Sequence, residues 1–104
     1  LHQKRPYLDL NDAVAALTFI INQNLYDGRV YNVLTTNATV NDLIQIISLH
    51  IPDISIEYVD TAIMNQLSYE VANNRFKGQG FEIKGKIENG IATTIQLLKN
   101  SSLA

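Results

Sequence analysis

Residues 4–23 read KRPYLDLNDAVAALTFIINQ, and this stretch decides the fold class. Its first seven residues are predicted to be extended, because Pro6 restricts the preceding residue to β or polyproline geometry and the positions that follow are mainly apolar. From there to about Gln23 the sequence predicts a helix, with Asn11 or Asp12 as its N-cap. A strand that leads directly into a helix indicates a mixed α/β arrangement.

The predicted first helix is apolar on nearly every side, since residues 13–21 read AVAALTFII. A helix of this kind is normally buried all round, but 104 residues form one domain, which we expect to cover only one face of it. Its three alanines would let another backbone approach closely. We therefore expect a partner surface here. The chain begins at Leu1 rather than Met, so we expect either that its start was trimmed or that it is a piece of a longer chain.

The remaining sequence predicts further short elements. Thr39, with Asp42 three residues later, is expected to cap a second helix whose apolar residues recur at helical spacing. The fold class is therefore α/β, a small lobe of about two to three short strands and three to four helices. The other expected elements are a turn at 27–28, a strand over 30–34, a strand over 54–59, a loop over 60–67, a short helix over 72–77 that stops at Gly78 or Gly80, an extended stretch at 81–83, and a last helix over 87–99.

Composition excludes several classes of function. The net charge is −2, and no basic run exceeds Lys4-Arg5, which argues against nucleic acid because phosphate contacts need clustered positive charge. No segment approaches the length of apolar sequence that crosses a membrane, so we expect no membrane partner. The chain has no cysteine, which excludes disulfides and thiolate chemistry and favours a cytoplasmic location.

The polar residues form no catalytic constellation. His2 and His50 lack the spacing of metal ligands, no serine lies in a Gly-x-Ser-x-Gly context, and the glycines form no phosphate-binding loop. The triplet at residues 37–39, Asn-Ala-Thr, matches a glycosylation sequon, a pattern that also arises by chance. We therefore predict no catalytic, cofactor-binding or metal-binding residue in this chain.

Arg5 is the polar residue with the clearest binding potential. A planar guanidinium binds phosphate or carboxylate through two parallel hydrogen bonds, and Pro6 limits the freedom of the segment that presents it. The simpler alternative is a surface arginine that pairs with Asp9 or with a helix C-terminus. The residues alone leave both alternatives open.

Several motifs together resemble a known family. Residues 5–14, RPYLDLNDAV, resemble the Arg-x-Tyr-(Ile/Val)-(His/Asp)-Val-x-Asp-(Val/Ala) segment of the extended short-chain dehydrogenase/reductases, which are NAD-dependent sugar-nucleotide epimerases and dehydratases. Similar blocks follow in the order of that family over almost the whole chain. They are VYNV at 30–33, TVNDLI at 39–44, SYEV at 68–71, GFE at 80–82 and ENGI at 88–91.

The resemblance implies that residues 1–104 are a single C-terminal substrate-binding lobe of an extended Rossmann-type enzyme. The chain lacks the family's Gly-rich NAD or NADP loop and its Tyr-x-x-x-Lys catalytic pair. An N-terminal Rossmann domain is implied to carry both and to cover the first helix. The lobe would hold a nucleotide sugar against the cofactor, within a full-length homodimer. The alternative is a free-standing α/β module for protein interaction or ligand sensing, without catalysis.

Three substrate-binding residues are implied by the resemblance: Arg5, Tyr7 and Tyr69. Arg5 matches the arginine that contacts the substrate diphosphate in related enzymes, Tyr7 would face the core or line the cleft, and the loop that ends at Tyr69 would lie beside the nucleotide. Many relatives carry a second phosphate-binding arginine at about the position of Thr61, which a threonine cannot replace. Three cationic residues are candidates to compensate for it: Arg29, Arg75 and Lys77.

Overall fold

The computed structural model describes residues 2–57 and 68–101. Within these ranges the chain forms four helices and one two-stranded antiparallel sheet. The prediction of a small mixed α/β lobe is thereby confirmed. In chain order the elements are β1 (Lys4–Tyr7), α1 (Leu10–Asn22), β2 (Thr36–Thr39), α2 (Val40–His50), α3 (Asn74–Lys77) and α4 (Ile87–Asn100).

The sheet joins the first strand to the segment that precedes α2. In its register Lys4 lies opposite Thr39, and Tyr7 lies opposite Thr36. Each strand leads almost directly into a helix, because Asp9 is the N-cap of α1 and Thr39 is the N-cap of α2. Since the strands are antiparallel, the two helices start from opposite ends of the sheet.

The predicted strand over residues 30–34 is wrong. These residues lie in neither a helix nor a strand, and β2 begins just after them. Some of their apolar side chains pack in the interior instead. Leu34 is buried and Val33 packs against the buried phenylalanines, whereas Val30 is exposed. A short apolar run does not distinguish a strand from an irregular segment that other elements bury.

Two other predicted extended stretches form no strand. Residues 54–57 and 81–83 lie outside the helices and strands, and no described strand lies beside them to supply ladder hydrogen bonds. The rest of the predicted strand, residues 58–59, and the predicted loop over 60–67 fall outside the described residues. The predictions for α3 and α4 are confirmed to within two residues, and the helix cap at Gly78 is confirmed.

The start of α1 also differs from the prediction. Its N-cap is Asp9, whose carboxylate accepts a hydrogen bond from the Asn11 N–H, rather than Asn11 or Asp12. Asp12 is buried within the first turn of the helix. Its carboxylate accepts hydrogen bonds from the Thr35 hydroxyl and, at 2.9 Å, from the Gly85 backbone N–H. The side chain of Asp12, which the sequence predicted as a possible cap, is therefore bound to residues distant in the chain instead.

The core forms around three phenylalanines from distant parts of the chain. Phe76 of α3 is fully buried, and its ring centroid lies 5.5 Å from that of Phe19 and 4.7 Å from that of Phe81. Gly80 adopts a positive φ of 103°, a conformation that glycine takes without strain, and this lets the chain turn Phe81 back onto Phe76. Ala16 of α1 completes the buried centre.

One face of α1 is apolar and exposed. Leu10, Val14, Leu17 and Ile21 recur at helical spacing, and between 57% and 76% of each residue is exposed. We call these four residues the α1 face. The described part of the chain covers the helix on the other side, where Ala16 is buried.

Among the described residues, no helix has the length and apolar character needed to cross a membrane.

The start of α2 carries a reciprocal capping arrangement. The Thr39 hydroxyl accepts a hydrogen bond from the Asp42 N–H at 3.1 Å, and the Asp42 carboxylate accepts one from the Thr39 N–H at 2.9 Å. These bonds to Thr39 hold the pKa of Asp42 below its ordinary value. The predicted capping box is thus confirmed.

Replacing Thr39 with alanine is expected to lower the free energy of unfolding by about 1 kcal/mol, the usual loss for an N-cap threonine. Urea unfolding followed by far-ultraviolet circular dichroism measures this change. The control is Thr93→Ala, at an exposed position within α4, which should not destabilise the fold because alanine is the better helix former. An unchanged unfolding midpoint for Thr39→Ala would contradict the assigned role of the cap.

Candidate functional site

Residues 68–71 form a strap that is hydrogen-bonded to Lys4 of β1 and to Asn37 of β2. The Lys4 N–H donates to the Ser68 hydroxyl at 3.0 Å, and the Lys4 carbonyl accepts from the Tyr69 N–H at 3.1 Å. The Lys4 ammonium also pairs with the Glu70 carboxylate at 2.7 Å, and this hydrogen bond raises the pKa of Lys4. Both side chains of the ion pair are largely exposed, so the pair contributes little to stability.

Asn37 of β2 fixes the far end of the strap. Its amide nitrogen donates to the Val71 carbonyl at 2.9 Å, and its amide oxygen accepts from the Val71 N–H at 3.0 Å. The side chain therefore takes the place of a backbone bridge between β2 and the strap. Sequence reasoning missed this role, because two positions 34 residues apart show no common pattern.

The strap places Tyr69 against Arg5. The Cζ atom of Arg5 lies 5.1 Å from the centroid of the Tyr69 ring, within the range of a cation–π contact. Two of the three predicted substrate residues are therefore in contact. The Arg5 guanidinium also donates from Nη1 to the Lys4 carbonyl at 2.9 Å. The alternative pairing with Asp9 does not occur.

Among the described residues, no acidic side chain neutralises the charge of Arg5. No carboxylate of residues 2–57 or 68–101 lies within ion-pair distance of its guanidinium, whereas Glu70 pairs with Lys4. A guanidinium has five N–H donors, and contacts with the described residues use one of them. The others can bind an anion through parallel hydrogen bonds. The Tyr69 ring holds the group in place without cancelling its charge.

Tyr7 lies two residues after Arg5 on β1, so both side chains project from the same face of the strand. It is half-buried and lines an apolar groove of about 560 Å³. The walls of this groove come from the end of β1, from α2 and from α4, and include Leu8, Leu43, Ile47, Ile91, Ile95 and Leu98. The substrate-binding role of Tyr7 stays a prediction.

A larger cleft, of about 800 Å³, adjoins this groove between α1 and α4. Its walls include Thr18 of α1 and Thr93 of α4, and it contains none of the three predicted substrate residues. Leu10 of the α1 face lines its rim. We place the candidate site at Arg5 rather than in this cleft, because none of the residues that the sequence predicts to bind substrate lines the cleft.

The residues considered as replacements for a second arginine do not meet at the strap. Arg75 donates from Nη1 to the Val30 carbonyl at 3.0 Å, and Lys77 is the last residue of α3. The Arg29 N–H donates to the Asp27 carboxylate within the predicted turn. The described contacts include no hydrogen bond between any of these residues and the strap. Thr61 itself lies outside the described residues.

Within residues 2–57 and 68–101, no group of three or more acidic or histidine side chains is placed to hold a metal ion. No protein-family model matches the chain, and no curated protein or solved structure resembles it significantly. The family resemblance therefore stays a prediction that depends on the sequence motifs alone.

Proposed function

We propose that the chain is the substrate-binding lobe of a cytoplasmic NAD- or NADP-dependent nucleotide-sugar epimerase or dehydratase. The observation that carries this proposal is the state of Arg5, which is held against the Tyr69 ring and is not paired with any described carboxylate. A nucleotide sugar offers a diphosphate, and a guanidinium binds phosphate oxygens through paired hydrogen bonds. The position of Arg5 is also the one that the family resemblance assigns to the diphosphate contact.

The α1 face supports the assignment to a lobe. A continuous exposed apolar patch commonly marks an interaction surface, and its four residues run along the whole of α1. In our proposal, an N-terminal Rossmann domain covers this face, and the full-length protein dimerises through that domain. The domain holds the nicotinamide, which supplies hydride chemistry. The residues of this chain bind the nucleotide sugar and orient it.

Replacing Arg5 with alanine is expected to raise the KM of the full-length enzyme for its nucleotide sugar by roughly tenfold to a hundredfold. A hydrogen bond to a charged group contributes about 1.5–3 kcal/mol, and each 1.4 kcal/mol corresponds to about a factor of ten. Steady-state kinetics with NAD and a panel of UDP-glucose, GDP-mannose and dTDP-glucose measures the change.

Two variants serve as controls for this prediction. Lys99→Ala removes an exposed cationic side chain of α4 outside the strap and should leave KM unchanged. Arg5→Lys keeps the charge but loses the forked donor geometry, so its KM should lie between those of the wild type and Arg5→Ala. An unchanged KM for Arg5→Ala would remove Arg5 from the site.

The second candidate function is a free-standing interaction module, which the exposed α1 face also favours. The coding sequence upstream of Leu1 discriminates between the two candidates. A Gly-x-x-Gly-x-x-Gly loop and a Tyr-x-x-x-Lys pair encoded there would support the enzyme lobe. An initiator codon directly ahead of Leu1 would support the module.

A further inference from the structure

We propose that Asn37 is a positioning residue for Arg5: by holding the strap on the sheet, it keeps the Tyr69 ring against the guanidinium. The inference rests on the proposed function, since Arg5 needs positioning only if it binds the substrate. The side chain of Asn37 makes no hydrogen bond to Arg5 or Tyr69; both of its hydrogen bonds go to Val71. It acts through the strap.

The strap is fixed on both sides of Tyr69. On one side the Tyr69 N–H itself donates to the Lys4 carbonyl. On the other side, two residues later, both backbone polar groups of Val71 are bound by the Asn37 amide. The tyrosine ring is therefore held between two anchors, and loss of Asn37 removes one of them completely.

The other side-chain contacts of the strap cannot substitute for Asn37. The ion pair between Lys4 and Glu70 is largely exposed, so it is weak and is screened by salt. The hydrogen bond from the Lys4 N–H to the Ser68 hydroxyl is exposed as well. The two bonds of Asn37 are partly buried, and they match one donor and one acceptor to the two backbone groups of Val71. Hydrogen bonds that are shielded from water and fully satisfied hold a segment more firmly than exposed ones.

The position of the ring matters for binding because arginine has a long, flexible side chain. Ordering such a side chain costs conformational entropy when a ligand binds. A ring that already restricts the guanidinium lowers this cost, and the cation–π contact keeps the positive charge intact. Loss of Asn37 should therefore weaken anion binding, although it leaves every charge of the site in place.

The first measurement uses the 104-residue chain and the ring-current shift that Tyr69 imposes on the Arg5 side-chain protons in a carbon–proton correlation spectrum. In Asn37→Ala these resonances should move most of the way to the values of an unstructured arginine. Asn37→Asp keeps the shape and the acceptor but replaces the donor, so we expect it to give an intermediate shift. This variant provides the test if the alanine variant does not fold. Asn32→Ala, at an exposed position, is the matched control and should leave the shift unchanged.

The second measurement titrates the same proteins, and Arg5→Ala, with inorganic pyrophosphate and follows binding by isothermal titration calorimetry. We expect affinity to fall about threefold to tenfold in Asn37→Ala, to be lost in Arg5→Ala, and to be retained in Asn32→Ala. A wild-type ring-current shift in Asn37→Ala would overturn the proposal, as would a lost shift with unchanged affinity.

The two measurements separate the inference from the function on which it rests. A lost ring-current shift in Asn37→Ala, together with no pyrophosphate binding by the wild type, would overturn the proposed anion site and with it the purpose assigned to Asn37. In that outcome Asn37 keeps only its role as an anchor of the strap.

Discussion

Replacing Phe76 with alanine is expected to lower the free energy of unfolding by about 3–5 kcal/mol, the usual cost of removing a fully buried aromatic ring. The side chain has no exposed surface, and its ring packs against Phe19, Tyr31 and Phe81. A domain of this size has a total stability of about 5–15 kcal/mol. The substitution would therefore remove a large share of it.

Urea unfolding and thermal unfolding, both followed by circular dichroism, measure this effect. Since 1 kcal/mol shifts the midpoint of a small domain by about 4–8 °C, Tm should fall by about 12–40 °C. Phe76→Leu should cost less, because it keeps most of the buried apolar volume. Leu97→Ala, at an exposed position on α4, should change stability by less than about 1 kcal/mol. A loss below about 1 kcal/mol for Phe76→Ala would contradict the central place given to this residue.

Replacing Gly85 with alanine is expected to lower the free energy of unfolding by about 2–4 kcal/mol. A Cβ atom at this position would lie 2.8 Å from Cγ of the buried Asp12, closer than atoms can approach. The carboxylate would have to move away from the Gly85 N–H and the Thr35 hydroxyl, its two donors. Overpacking costs about 1–3 kcal/mol, and an unsatisfied buried polar group costs a similar amount.

A double-mutant cycle tests the physical reason for this effect. In the Asp12→Ala background the carboxylate is absent, so the further change of Gly85 to alanine should cost less than about 1 kcal/mol. Urea unfolding of the four proteins gives the coupling energy. Equal costs of the glycine substitution in both backgrounds would show that contact with Asp12 is not its cause.

The helices were predictable because their signals are local. The capping box at Thr39 and the apolar stripe of α2 lie within a few turns of chain, as do the isoleucines of α4 at positions 87, 91 and 95. The apolar excess of α1 also predicted that the rest of the chain would cover only one of its sides. The exposed α1 face agrees with this prediction.

The sheet and the cap of α1 were not predictable in the same way. The residues of β2, TNAT, have no apolar alternation, and they form a strand because β1 supplies hydrogen-bond partners 29 to 35 positions earlier. Asp9 and Asp12 are equivalent as caps by local rules. What separates them is the position of Gly85 in the folded chain, which local rules do not contain.

In the candidate site, too, part of the arrangement was predictable from the sequence and part depends on tertiary structure. The family resemblance singled out Arg5 and Tyr69, and the structure places them in contact. The residues that produce this contact are Asn37 and Lys4, which bind the strap through hydrogen bonds that join positions 34 to 65 apart. Such partners follow from tertiary structure, and single-sequence motifs contain no information about them.

The strap has a consequence for synthesis of the protein. Lys4 bonds to Ser68 and Tyr69, more than 60 positions later, so its backbone groups at that edge of β1 lack their final partners until the ribosome has made that segment. At about 5–20 residues per second, this takes about 3–13 s. An open strand edge can pair with other chains, so during this period the nascent protein is more exposed to aggregation than the folded one.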